Sequence, residues 1–195
     1  MPIPKPLSLL PAALVAAAAL LPAAAPTGLD DGVAKPGPVM QALMRDIEQA
    51  ESKLVALAEA IPASSYDWRP AEGVRSVAEV FMHVAADNWF IPTAVGAAAP
   101  AATGITGDSY DSVLAYERRA ATPAAALAEM RASFEHLERV MAGVDESKLH
   151  DPIDMFGHEA TALDLWVLTA THLHEHLGQN IAYARSNGVV PPWSR

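Results

Sequence analysis

Apolar residues recur at helical spacing along most of this chain. Val39, Leu43, Ile47, Ala50, Leu54, Leu57 and Ile61 step by fours and threes, while Arg45, Asp46, Glu48, Glu51 and Lys53 occupy the other face. That is the stripe of a helix with one buried side. It predicts a first helix over Val39–Ala60, stopped by Pro62. Turn formers fill 62–75, and Ser76 followed by Glu79 carries a capping-box signature. A second helix is therefore expected from Val77 to about Phe90, kinked or ended at Pro92. The Ala/Gly/Pro/Thr-rich stretch 94–108 reads as a crossing segment, followed by a short helix from Tyr110 to Arg119. Thr122, with Pro123 at the first helical position, opens a third long helix striped by Leu127, Met130, Phe134, Leu137 and Met141. After a loop from Asp145 to Glu159, Thr161 and Asp164 cap a fourth, which runs to about Ser186. There Asn187–Gly188 stop it, and Pro191–Pro192 forbid resumption.

Four long amphipathic segments, no convincing strand and no internal repeat indicate an all-α protein built as a single four-helix bundle. The link of about thirty residues between the second and third helices leaves room for a long crossover. Composition agrees: 51% of the 195 residues are hydrophobic but only 6% are aromatic. Alanine and leucine dominate, and they propagate helices rather than strands.

The beginning of the chain follows another pattern. Lys5 precedes an apolar run from Leu9 to Leu21, and Ala23–Ala25 then supply small residues for cleavage. This reads as a signal peptide over 1–25, with 26–38 a flexible lead-in and 39–195 the bundle. The run is short for a membrane span and is punctuated by Pro11 and Pro22. A periplasmic or secreted protein without a stable membrane span after processing is expected, with a retained anchor as the alternative.

The charge narrows the partners. There are 23 acidic against 13 basic residues, a formal net of −10, and no Lys/Arg cluster. Such a surface repels phosphate backbones and anionic membranes, so nucleic acid is not an expected partner. Cysteine is absent. Any bound transition metal must therefore use histidine and carboxylate, and a cysteine nucleophile is excluded.

Seven histidines remain, three of them within His172-Leu173-His174-Glu175-His176. On a helix, His172 and His176 share a face and His174 points away. Two imidazoles one turn apart can reach one divalent ion, although such a pair also occurs at the exposed edge of a core. The same face continues to Gln179, Asn180 and Tyr183, with Gln179 and Tyr183 expected to line the histidines' pocket or to support the ligands from behind. His83 lies mid-helix between Val80 and Val84, with Glu79 and Asp87 one turn away on either side. It is either a core histidine satisfied by one of those carboxylates or a third ligand. Three neutral nitrogens with an open position describe a catalytic metal site better than a closed structural one. Asp87 ranks above Glu175 as an outer partner, because Glu175 projects about 100° from His176. His158, just before the fourth helix, can reach over the site. His136 is expected half-buried or exposed on the third helix, and His150 in a polar loop.

These residues resemble a known family. His172-x3-His176-Leu177-Gly178-Gln179, running on through Asn180 to Arg185, is similar to the fourth-helix signature of the DinB-like superfamily. Gly188–Trp193 and the stretch Tyr66-Asp67-Trp68-Arg69-Pro70, then Ser76, Val77 and Glu79 before His83, also look like family sequence. The resemblance spans about 39–193. It implies up-down-down-up connectivity, a divalent ion (zinc or nickel) on His83, His172 and His176, and a possible homodimer. Characterised members include thiol-dependent transferases and isomerases. The expectation is thus an exported metal-dependent enzyme, of hydrolase or thiol-transferase type, acting on a small molecule. The alternative is a non-catalytic metal or small-ligand binding protein.

Overall fold

The computed structural model describes residues 36–119 and 122–194. The expected signal peptide, 1–25, and residues 26–35 of the lead-in lie outside the described residues. Five α-helices follow in order: α1 (Pro38–Ala60), α2 (Val77–Phe90), α3 (Tyr110–Glu117), α4 (Pro123–Ala142) and α5 (Ala162–Ser186). The four long ones form the bundle, and α3 occupies the crossover between α2 and α4.

Local chemistry sets the helix ends. Ser76 accepts from the Glu79 amide while the Glu79 carboxylate accepts from the Ser76 amide, and Thr161 with Asp164 repeats this box at α5. Thr122 accepts from the Ala125 amide at the start of α4. α1 lacks a cap of its own; the distant Glu146 carboxylate accepts from the Val39 and Met40 amides at 3.3 and 3.2 Å. At the far end of α5, Gly188 takes a positive φ of 74° and ends the helix.

α1 packs against α4 and α5, and α2 packs against the same two, so α1 and α2 lie on opposite corners of the bundle. α2 also carries α3 on its remaining side. The consequence is visible in its burial: every residue of α2 except Glu79 is buried. The expectation that all four long helices are amphipathic is therefore corrected for α2. A helix enclosed by neighbours is buried all round, and its polar residues face interior partners rather than water. This is what brings His83 and Asp87 into the interior.

A second correction concerns strands. Residues expected to form a plain loop contain a hairpin, β1 (Pro152–Met155) paired antiparallel with β2 (His158–Thr161). Its two-residue turn is Phe156–Gly157, with φ of +56° and +89°. A two-residue turn of type I′ requires positive φ at both central residues, which Asn-Gly satisfies at little cost. Phenylalanine in that first seat hides the turn from a reading of the sequence.

Candidate metal centre

The site forms where α2 and α5 meet, with α3 behind it. α2 contributes His83 and Asp87 one turn apart, and α5 contributes His172 and His176 one turn apart. His83 and His176 are buried and His172 is half-buried. One nitrogen from each imidazole lies within 4.8 Å of the other two, so the three can hold one metal ion. The Nε2 atoms of His172 and His176 are 3.0 Å apart.

The neighbours assign the protons. His83 Nδ1 lies 2.8 Å from Oε1 of Glu117, an obligate acceptor when ionised, so Nδ1 carries the hydrogen. Glu117 is itself held by the forked guanidinium of Arg75 at 2.8 and 3.0 Å. Burial alone would raise the Glu117 pKa, but hydrogen bonds from His83 and Arg75 more than offset it and hold the group below its ordinary range. His176 Nδ1 donates to Oε1 of Gln179 at 2.8 Å, and the Gln179 amide donates in turn to the Tyr183 hydroxyl at 3.0 Å. Both histidines are thereby left with a bare Nε2 lone pair, the state a metal needs. Desolvation first, then the neighbouring His172 and His83, pushes the His176 pKa down to about 4. It is neutral at ordinary pH.

The result is an excess of acceptors. Asp87 Oδ2 lies 3.4 Å from His83 Nε2 and 2.9 Å from His172 Nε2. Its other oxygen, Oδ1, is buried with no hydrogen-bond partner among the described residues. His172 Nε2, if it carries the ring hydrogen, can serve Asp87 Oδ2 or His176 Nε2, but the bare His83 Nε2 still faces the carboxylate with no hydrogen between them, a repulsion that a cation would relieve. The donor set, three imidazoles with two oriented from behind, thus fits a divalent first-row ion.

A cleft of about 860 Å³ opens over this centre, with His83, Asp87 and His172 on its lining. Phe90, Tyr110 and Phe156 add aromatic surface to it. Of the two positions expected for Gln179 and Tyr183, they take the supporting one: they sit behind His176 and orient it, with Trp68 edge-on to Tyr183 at 5.3 Å. His158 is exposed on β2, and its turn neighbours Phe156 and Gly157 are the ones that reach the cleft. His174 points away, with its ring 2.8 Å from Asp46 of α1, and Glu175 is exposed. His150 is exposed. His136 is buried against Trp89, whereas a half-buried or exposed position was expected. Sequence reasoning sought the partner of His83 on its own helix and missed Glu117 and Arg75. A signal existed: Val113, Tyr116 and Glu117 form the buried stripe of α3, and a glutamate in such a stripe requires an interior partner.

A helix bundle with three converging histidines at an open cleft is the class that fold and site define together. Residues 46–180 match the DinB superfamily, and the chain belongs to it. No curated protein matches the chain. Among solved structures it is similar to a DinB-like protein from Bacillus cereus, with 13% identity and a TM-score of 0.62 over 78% of this chain and 95% of that one. It is also similar to the DinB-like protein YjoA from Bacillus subtilis, with 20% identity and a TM-score of 0.58 over 79% and 98%. At these identities the likeness establishes the fold.

Proposed function

We propose that the protein is an exported, metal-dependent enzyme acting on a small molecule in the cleft above His83, His172 and His176. The observation that carries this is the position of the centre: two of its three imidazoles form part of the cleft lining, so a ligand can approach from the open side. A divalent ion there would polarise a carbonyl or lower the pKa of a bound water or thiol. The surrounding residues supply the rest. Glu117 and Gln179 fix the ring orientations, and Arg75 and Tyr183 fix them in turn. Asp87, on the cleft lining with Oδ2 2.9 Å from His172 Nε2, would be the group to accept a proton from a ligand beside the histidines. Hydrolysis and thiol-dependent transfer are the reaction types this arrangement supports, with zinc or nickel as the ion. Export rests on the Leu9–Leu21 run and the Ala23–Ala25 triplet. N-terminal sequencing of protein from its native host should find a mature start near Ala24–Thr27, and an intact Met1 would remove this part.

The test is a paired screen of metal-loaded wild type and His172→Ala for ester and amide hydrolysis and thiol conjugation. Activity present in the first and absent in the second is the expected result. A second reading has its own support. Asp87 Oδ2 lies close to two of the three imidazoles and can serve as a fourth ligand, which would close the site and make the metal structural. X-ray absorption on the zinc protein separates them, since an Asp87→Asn variant that lowers the ligand count favours the structural metal.

A further inference from the structure

The cleft has a chemical bias that the metal centre does not explain. Its floor holds His83 and His172, but its upper walls pair aromatic rings with carboxylates. Phe90 and Phe156 stack at 4.5 Å with an interplanar angle of 14°, and Tyr110 meets Phe90 edge-on at 5.8 Å. Asp108 and Asp154 stand at the exposed rim, and Asp87 lies deeper, its side chain only 7% exposed and its Oδ1 without a partner among the described residues. None of the described lining residues is a lysine or arginine. Arg69, Arg75 and Arg118 line a separate groove, where Arg69 pairs with Glu79; Arg75 also reaches Tyr110 of the cleft wall, but its charge is offset there by its forked pairing with Glu117.

Phe156 makes the bias pointed. It holds φ +56° in the first turn seat of the hairpin, a conformation that asparagine or glycine adopts readily and a bulky side chain resists. Nothing in the turn requires a ring there. The ring reaches Phe90 and the cleft while remaining 38% exposed, so backbone strain is tolerated for an aromatic surface at the mouth of a site.

We infer that this cleft binds a small molecule with an apolar body and a positively charged nitrogen, gripped by the exposed rings of Phe156, which buried Phe90 backs, and Tyr110, and by the carboxylates of Asp108 and Asp154. The inference rests on the three-histidine centre being open to the cleft, so that the ligand's neutral end lies toward the histidines and its cation toward the rim. Aromatic faces and carboxylates both attract a cation, and an excess of carboxylates repels phosphates and multiply acidic ligands. A metal at the floor would add positive charge at depth, reinforcing the polarity between the two ends of the cleft.

The probes are benzyltrimethylammonium, which has no lone pair to offer a metal, and phenylmethanesulfonate, its anionic counterpart. Each is titrated into the mature protein by calorimetry, in both zinc-loaded and metal-free forms. The ammonium should bind at least about tenfold tighter than the sulfonate, because the ring faces attract the cation and the rim carboxylates both attract it and repel the anion. Asp108→Asn combined with Asp154→Asn should cut the preference to about a third of its wild-type value or less, the remainder being the ring contact. Asp154 accepts from the Gly157 amide at 2.6 Å, and the side-chain amide oxygen that replaces its carboxylate can still do so. Phe156→Asn should weaken ammonium binding severalfold without lowering the melting temperature, a combination that a purely structural phenylalanine cannot produce. Equal or tighter sulfonate binding, or a Phe156→Asn variant that binds the ammonium like wild type, overturns the inference. Elemental analysis of the same samples distinguishes the two ideas. Ammonium preference without bound metal removes the metal centre alone, whereas bound metal without ammonium preference removes this inference alone.

Discussion

Two buried histidines, His83 of α2 and His136 packed against α2 from α4, show what separates a site from a core. His83 and His136 are similarly enclosed, at 4% and 8% exposure. Around His83, Glu117 fixes one ring nitrogen, and His172, His176 and Asp87 converge near the other. His136 packs its ring against Trp89 at 4.8 Å, and its Nε2 has no partner among the described residues. The polar groups nearby satisfy one another instead: Trp89 donates to the Tyr116 hydroxyl at 3.1 Å, Tyr116 to Glu129, and Asn88 to Ser133 at 3.1 Å. Tyr116 and Glu117 are adjacent on α3, yet one serves the packed side and the other the metal side. Burial of an imidazole is common to both regions; convergence of lone pairs beneath an open cleft belongs to one.

The strongest test of this contrast is ligand removal. His83→Ala and His176→Ala should each weaken zinc binding by more than the roughly 10–100-fold that loss of an outer partner costs, measured by competition with a chromogenic chelator. His136→Ala should leave zinc affinity at the wild-type value. A large loss in His136→Ala would erase the distinction between the two regions.

Acid should act next, and on both regions in the same direction. The folded-state pKa of His176 lies at about 4 and that of His136 is also lowered by burial, whereas an unfolded histidine titrates at 6.5. The unfolded chain therefore binds more protons between those values, and stability present above pH 6.5 is lost as pH falls toward 4. For His176 in metal-free protein the loss is on the order of 3 kcal/mol. Glu51 works the other way: burial and then Glu138 raise its pKa to about 7 from 4.5, so its contribution is present below 4.5 and lost as pH rises through 7. Urea unfolding of Glu51→Gln should show a steeper fall below pH 6.5 than wild type. An unchanged profile in that variant would refute the opposition.

A smaller effect isolates the relay behind His83. Glu117→Gln keeps an acceptor for Nδ1 but removes the charge, and should weaken zinc affinity by about tenfold, at the low end for outer partners. Its melting temperature with zinc bound should stay close to wild type if the relay tunes the ligand rather than the fold. The smallest effect concerns His174, whose exposed pairing with Asp46 contributes between about 0 and 1 kcal/mol. His174→Ala should retain full zinc binding. Loss of the metal there, with His172→Ala intact, would mean that α5 presents the other face.

Much of this is legible in the sequence, for a physical reason. Helix boundaries depend on residues within one or two turns of each other, so Ser76 with Glu79, Thr122 with Pro123, and Thr161 with Asp164 announce three helix starts. The His172–His176 face follows from helical periodicity alone. The hairpin at 152–161 escapes because its turn carries Phe156 where asparagine would be recognisable. The helix α2 reads as amphipathic because its pattern does not reveal how many neighbours will cover it.

By itself, then, the sequence determined the all-α class, the capped ends of the bundle helices and which histidines share a face, since each depends on short-range spacing. Only the tertiary structure decided that Glu117, 34 positions beyond His83, completes that histidine, and that Asp87 of α2 reaches His172 of α5. It also decided that Gln179 and Tyr183 stand behind His176 while Phe156 stands at the cleft. These relations depend on how enclosed helices cross and which side of each is left open. That is a property of packing between distant segments, and no local pattern encodes it.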